Sequence, residues 1–235
     1  KAIVVRVNSP GGLVAPSQEM YEAIKRADKK VPVVISMGAV AASGGYYAAI
    51  GGRKIFANPG TLTASIGVIM EFVNTEKLYQ WAKVQRFSLK AGKLKDVGSP
   101  MRQMTPEEKQ FVNNLLKDIH QQFQSAVQER RKLTDNELNE YTDGRVMSGN
   151  QAKTAKLIDE VGSFDDALKE ARKLASLPDT APVHYPQSKQ GALKRWLLGN
   201  DDTSSSGEDL LQKLDSFLST PERPSWHILL LAPIR

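Results

Sequence analysis

The sequence predicts an α/β protein built on a largely parallel sheet. Three observations carry that prediction. Short β-branched runs, "AIVVRV", "VPVVIS" and "KIFA", recur along the N-terminal part of the chain. Helix-patterned segments fall between them, and turns containing glycine, proline or asparagine separate the two kinds of element. Strands alternating with helices at this spacing need crossover connections, which cover the faces of the sheet.

The elements follow in order. "AIVVRV" is a strand, "NSPGG" a turn, "APSQEMYEAIKRADKK" an amphipathic helix and "VPVVISM" a second, buried strand. A short helix follows Ser43, and "KIFA" and "SIGVIMEFV" read as further strands. "TEKLYQWAKV" is a helix and "QRFSLK" another strand. The long helix "TPEEKQFVNNLLKDIHQQFQSAVQERR" opens on a capping box, Thr105 with Glu108, and has Pro106 at its first position. Phe111, Leu115, Ile119, Phe123 and Val127 recur every fourth residue and predict one buried stripe. "DNELNEYT", "GNQAKTAKL" and "SFDDALKEARKLAS" are further helices. Beyond Pro178 the character changes: residues 199–209 form a polar, Gly/Ser-rich linker, "LLQKLDSFLS" an amphipathic helix, and "WHILLLAPI" a strand-like tail.

At 235 residues, 40% hydrophobic and 25% charged, the composition is that of a globular protein. The absence of cysteine excludes disulfides and thiolate chemistry. The net charge of +6 comes from dispersed basic residues, as in "KRADKK" and "QERRK", on helices that also carry acids. Solvated helix faces explain them, and no nucleic-acid module accompanies them. No run approaches the roughly 20 apolar residues of a membrane span. The chain opens on "KAIVVRV", a strand with no preceding loop or initiator methionine, which suggests a protein whose N-terminal part is missing here.

One serine stands out. Ser43 sits in "MGAVAASGGYYAAIGG", among alanines and glycines, directly after a strand. It has two readings: a helix N-cap, or a nucleophile held at a helix N-terminus where small neighbours admit a substrate backbone. "NSPGG" likewise reads as an ordinary tight turn or as a turn that points an amide at an oxyanion. A serine nucleophile needs a base. His120 lies on the long helix, and His184 and His227 in the C-terminal part, so a histidine relay is poorly supplied. Lysine is the next option, provided the ammonium can lose its proton. The loop "KAGKLKDVGSP" offers Lys90, Lys93 and Lys95, and local pattern does not choose among them.

"NSPGG", "GAVAASGGYYAA", "ANPGTLTASIGV", "KAGKLKDVGSP" and "DGRVMSGNQAKTAKLIDEVG" occur in the order seen in signal peptide peptidase A and its relatives. The resemblance covers Lys1 to about Ala175. It implies a ClpP/crotonase-like fold of repeated β-β-α units over residues 1–178, with 179–235 as a C-terminal extension. It also implies peptide hydrolysis through an acyl-enzyme by a Ser/Lys dyad, without metal or cofactor. Matched residue by residue, Ser43 corresponds to the nucleophile and Lys95 to the general base. Ser65 corresponds to the serine that orients the lysine, and Gly11 and Gly44 to the oxyanion donors. Lys95 is then expected to pack against apolar groups, with Ser65 as its polar partner. The resemblance further implies apolar peptide substrates such as remnant signal peptides, a homo-oligomer, and a membrane anchor that precedes Lys1 and holds the catalytic part outside the cytoplasm. A phage-type capsid maturation protease and a crotonase-type acyl-CoA enzyme are the alternatives, and no nucleic-acid partner is expected. The tail is expected to dock as a strand on an open sheet edge, with the peptide groove as the other site.

Overall fold

A computed structural model describes residues 1–185 and the strand at 227–231. The chain divides into two compact units, Lys1–Ala64 with Val146–Arg235, and Ser65–Arg145.

The first unit is organised around β2 (Val33–Ala42), in which the consecutive Val33, Val34 and Ile35 are buried on both faces. β1 (Ala2–Ser9) runs parallel to it on one side. On the other side β2 is shared: its first half pairs in parallel with β3 (Lys54–Ala57), and its last residues pair in parallel with β4 (Leu62–Ala64). β5 (Val146–Ser148) joins β4 in antiparallel fashion, and β6 (Glu160–Val161) joins β3 in parallel. The alternation predicted from sequence is therefore realised, and the α/β class is the one observed.

The β1–β2 register slips once. Val7 lies opposite Met37, but Ser9 lies opposite Ala41, so β2 carries two extra residues. The polar groups of this bulge are satisfied by side chains: Val40 N donates to Asn8 Oδ1 at 3.2 Å, and Thr61 Oγ1 donates to the Gly38 carbonyl at 2.7 Å. A Cβ at Gly38 would lie 2.8 Å from Asn8 Oδ1, so only glycine fits there. The bulge sets the ends of β1 and β2 immediately before "NSPGG" and Ser43.

α1 (Val14–Asp28), α2 (Gly44–Ala49), α6 (Gly149–Thr154) and α7 (Phe164–Leu174) belong to the same unit. α7 starts with a capping box, Ser163 with Asp166. Ala167, Leu168 and Ala171 on it pack with Ala2, Val4, Val34 and Phe56 to form a dry core. Tyr46 on α2 is fully buried and donates from its hydroxyl to the Leu157 carbonyl at 2.8 Å. The tail forms β8 (His227–Leu231), which pairs antiparallel with β1 and with β7 (Val183–His184). It is thus a strand on the unit's own sheet. The linker at 199–209 and the helix expected at 210–219 lie outside the described residues.

The second unit contains α3 (Glu76–Trp81), α4 (Pro106–Arg131) and α5 (Asp135–Tyr141). The capping box at Thr105 and Glu108 is present as predicted. The predicted stripe on α4 is buried in its second half only: Phe123 and Val127 are buried, whereas Phe111 and Leu115 are exposed. Val112 and Ala126 complete the buried face. The strands expected at 65–73 and 85–90 do not form. Ile69, Val73, Phe87 and Leu89 have the composition of strands but are exposed, and no ladder partner stands beside them among the described residues. No helix among the described residues is long and apolar enough to cross a membrane.

Candidate active site

β2 ends at Ala42 and α2 begins at Gly44, so Ser43 is the whole of the turn between them. It adopts φ 52° and ψ −121°, a region that a residue with a Cβ avoids. The N-cap reading fails here: the Ser43 side chain makes no capping hydrogen bond. Its backbone is fixed instead, with Ser43 N donating to Ala64 O at 2.8 Å and Ser43 O accepting from Tyr47 N at 2.9 Å. The turn is held while the hydroxyl is left for other work.

Glycines crowd this turn because nothing larger fits. Gly11 has φ 122°, and a Cβ on it would lie 2.9 Å from Ser43 Cβ and 3.1 Å from Gly44 N. A Cβ on Gly44 would lie 2.3 Å from Ser17 Oγ and 3.2 Å from Gly12 N. The structure therefore brings Gly11, Gly12, Ser43 and Gly44 together, as the two quoted motifs require. In this arrangement Gly11 N donates to Ser9 Oγ at 3.2 Å.

Ser65 opens the second unit. Ala64 and Ser65 are consecutive left-handed residues, with φ 62° and 51°. Ser65 N donates to Arg145 O at 2.9 Å, and the His120 ring nitrogen Nε2 lies 3.3 Å from the Ile66 carbonyl. The Ser65 backbone is thus pinned on both sides.

The three lysines of the loop differ in their partners. Lys90 donates to the Lys93 carbonyl at 3.1 Å and pairs with Asp96, while Lys93 pairs with Glu107 at 2.6 Å. Lys95 alone of the three makes no ion pair among the described residues. It lines a recess of about 330 Å³ with Arg86, Ser88, Lys90 and Asp96. The expectation of a packed Lys95 is corrected within this unit. Lys95 is exposed, and no hydrogen bond joins it to Ser65. The loop backbone packs closely at Gly98, which has φ 78°, and a Cβ there would lie 2.2 Å from the Phe72 ring.

Sequence reasoning missed the residues behind this loop. Arg102 forks onto Glu108, Nη1 to Oε2 at 2.8 Å and Nη2 to Oε1 at 2.5 Å, and also reaches Asp96 Oδ2 at 3.0 Å. The Arg102 fork, then the Thr105 backbone N–H, hold the Glu108 carboxyl down at about 2. Lys90 and then Arg102 hold the Asp96 carboxyl below its ordinary value. The signal was present in "KDVGSPMRQMTPEE", where an arginine stands six residues from an acid on each side.

An α/β sheet that presents a serine on a strained strand-to-helix turn, walled by glycines, defines a class of hydrolase-like sites. Comparison with known proteins narrows the class. The profile of peptidase family S49 matches residues 25–178. The chain is 38% identical over 232 residues to a protein of Synechocystis sp. with a provisional protease name, a match that covers 96% of this chain and 83% of that one. It is 34% identical over 198 residues to an Enterococcus faecium protein provisionally named a signal peptide peptidase, covering 84% of this chain and 58% of the other. It is 34% identical over 179 residues to a chloroplastic serine protease of Arabidopsis thaliana, covering 76% of this chain and 26% of the other. The chain therefore spans most of the first relative but little more than half, or about a quarter, of the other two. It belongs to peptidase family S49.

Proposed function

We propose that this chain is a serine endopeptidase that cleaves apolar peptides, remnant signal peptides among them, through an acyl-enzyme. Ser43 attacks the peptide carbonyl, and Lys95 accepts its proton. Ser65 orients the Lys95 amine, and N–H groups of Gly11 and Gly44 stabilise the oxyanion. Lys95 then passes the proton to the leaving amine, and the same residue activates the water that releases the acyl group.

The observation that carries this reading is the Ser43 turn: a φ of 52° is retained at a residue whose side chain does no capping. Strain without a structural return points to function. Family membership supports the rest, as does Lys95, which makes no ion pair among the described residues. The Gly11 N–H must turn from Ser9 Oγ to serve the oxyanion, and Lys95 must lose water when something covers it. A second copy of the chain or the bound peptide would supply that cover. The exposed Ile69, Val73, Phe111 and Leu115 of the second unit favour a homo-oligomer. The E. faecium relative is named for signal peptides as substrates, and a place at a membrane outside the cytoplasm is part of the same proposal.

The test is hydrolysis of an apolar fluorogenic peptide by wild type, Ser43→Ala, Lys95→Ala and the double variant. Residues that act as a unit are strongly non-additive. Each single variant should lose nearly all turnover, and the double little more. Near-normal activity in Lys95→Ala, with loss in Lys90→Ala or Lys93→Ala, would move the base to another lysine.

A further inference from the structure

We infer that Arg102 is a positioning residue for Lys95: it ties the lysine's loop to the first turn of α4 and neutralises the carboxylate next to Lys95, so that the amine can act unprotonated. The inference rests on the reading of Lys95 as base.

The anchor is visible in the bonds. Glu108 is 4% exposed and closes the α4 capping box, with Thr105 N donating to its Oε2 at 2.8 Å. Arg102 grips both oxygens of this fixed carboxylate and, with the same guanidinium, Asp96 Oδ2. Asp96 follows Lys95 directly in the chain. A rigid helix start, a buried acid, a forked cation and the loop acid thus form one connected path to the lysine.

The electrostatic part follows from the groups around Lys95. Arg86, Lys90 and Asp96 share its recess, Lys93 and Glu107 pair beside it, and Arg102 and Glu108 stand behind. Asp96 and Glu108 are balanced by Lys90 and Arg102. A carboxylate beside an amine favours the ammonium, which cannot accept a proton. Arg102 and Lys90 cancel that effect by occupying Asp96. Without Arg102, Glu108 loses its ion-pair partner and Asp96 keeps only Lys90, so the negative charge near the amine grows and the ammonium gains.

The experiment is the pH dependence of kcat/KM for wild type, Arg102→Ala, Arg102→Lys, Arg102→Ala/Asp96→Asn and Lys95→Ala. Arg102→Ala should lower kcat more than it raises KM. Its rising limb should move to higher pH by about one unit, the scale of one opposite charge brought to bear on a titrating group. Adding Asp96→Asn should return the limb to the wild-type position or below. Arg102→Lys, which keeps the charge but not the fork, should keep the limb while losing part of kcat. Should Arg102→Ala fold poorly, Arg102→Gln, which can still donate a hydrogen bond to Glu108 but carries no charge, must move the limb in the same direction. A limb that stays in place in Arg102→Ala or Arg102→Gln, whatever the rate, overturns the inference. Lys95→Ala separates the two layers. If it is active, the base assignment itself fails. If it is inactive while the limb of Arg102→Ala stays put, only the role of Arg102 fails.

Discussion

Replacing Gly44 by alanine probes the tightest contact at the serine turn. The new methyl would sit 2.3 Å from Ser17 Oγ, with Gly12 N at 3.2 Å and Ser17 Cβ at 3.3 Å. The last two contacts ask for a few tenths of an ångström. The first cannot stand. The least costly relief is rotation of the Ser17 hydroxyl, which breaks its 2.9 Å bond to the Leu13 carbonyl at the start of α1. That bond is worth about 1 kcal/mol, and residual crowding adds a comparable amount, so a loss of about 1–2 kcal/mol is expected. Ser17→Ala removes the offending oxygen. In that background Gly44→Ala should cost under about 0.5 kcal/mol, a coupling of about 1 kcal/mol. Urea unfolding of the four proteins measures it, with a shifted midpoint and an unchanged slope. Catalysis should suffer more than stability. Alanine keeps the backbone N–H at position 44, but relief of the crowding shifts this proposed oxyanion donor, so kcat should lose part of the about 100- to 1000-fold that complete removal of such a donor costs. Additive stability losses in the cycle, or a Gly44→Ala enzyme of full activity, would refute the reasoning about this contact.

Three further outcomes are expected. Tyr46→Phe keeps the buried ring but leaves the Leu157 carbonyl without its 2.8 Å donor, so it should cost about 1–3 kcal/mol by urea or thermal unfolding; no change would mean that water or another group serves that carbonyl. The Glu108 carboxyl is held at about 2, below its unfolded value of 4.5, so its contribution to stability is complete above pH 4.5 and is lost as the pH falls towards 2. An acid titration of helical circular dichroism should therefore be flatter in Glu108→Gln than in wild type. Deleting Trp226 to Arg235 removes β8 from the β1 edge; thermal stability should fall and self-association should rise, whereas higher peptidase activity with stability retained would place the tail in the peptide groove.

The first unit was legible because its signals are local. The β-branched runs "VPVVIS" and "KIFA" name its buried strands, and in the second unit the capping pair at Thr105 names a helix start in the same local way. The Ser43 turn could be suspected from its small neighbours, but its strain is a property of φ and ψ that no residue pattern carries. "SIGVIMEFV" and "QRFSLK" misled for a physical reason: β-propensity reports a half-buried pleated surface, and a run without a partner strand has no such surface. The α4 stripe erred in the same way, since period alone placed Phe111 and Leu115 inward, whereas in the first half of the helix Glu108 and Val112 are the covered residues. The different pairings of Lys90, Lys93 and Lys95 depend on which acids each one meets, Asp96 and Glu107 above all. Those meetings are set by the loop's path and not by its composition.

The claim on which the account turns is that Ser43 is a nucleophile activated by Lys95. Labelling with a fluorophosphonate probe, followed by peptide mass spectrometry, tests it without knowledge of the natural substrate. The account predicts a single stoichiometric adduct on Ser43, no adduct in Ser43→Ala, and labelling slowed by at least about 100-fold in Lys95→Ala, the scale of general-base assistance. An adduct on another serine, or labelling of Ser43 at an unchanged rate without Lys95, would contradict it.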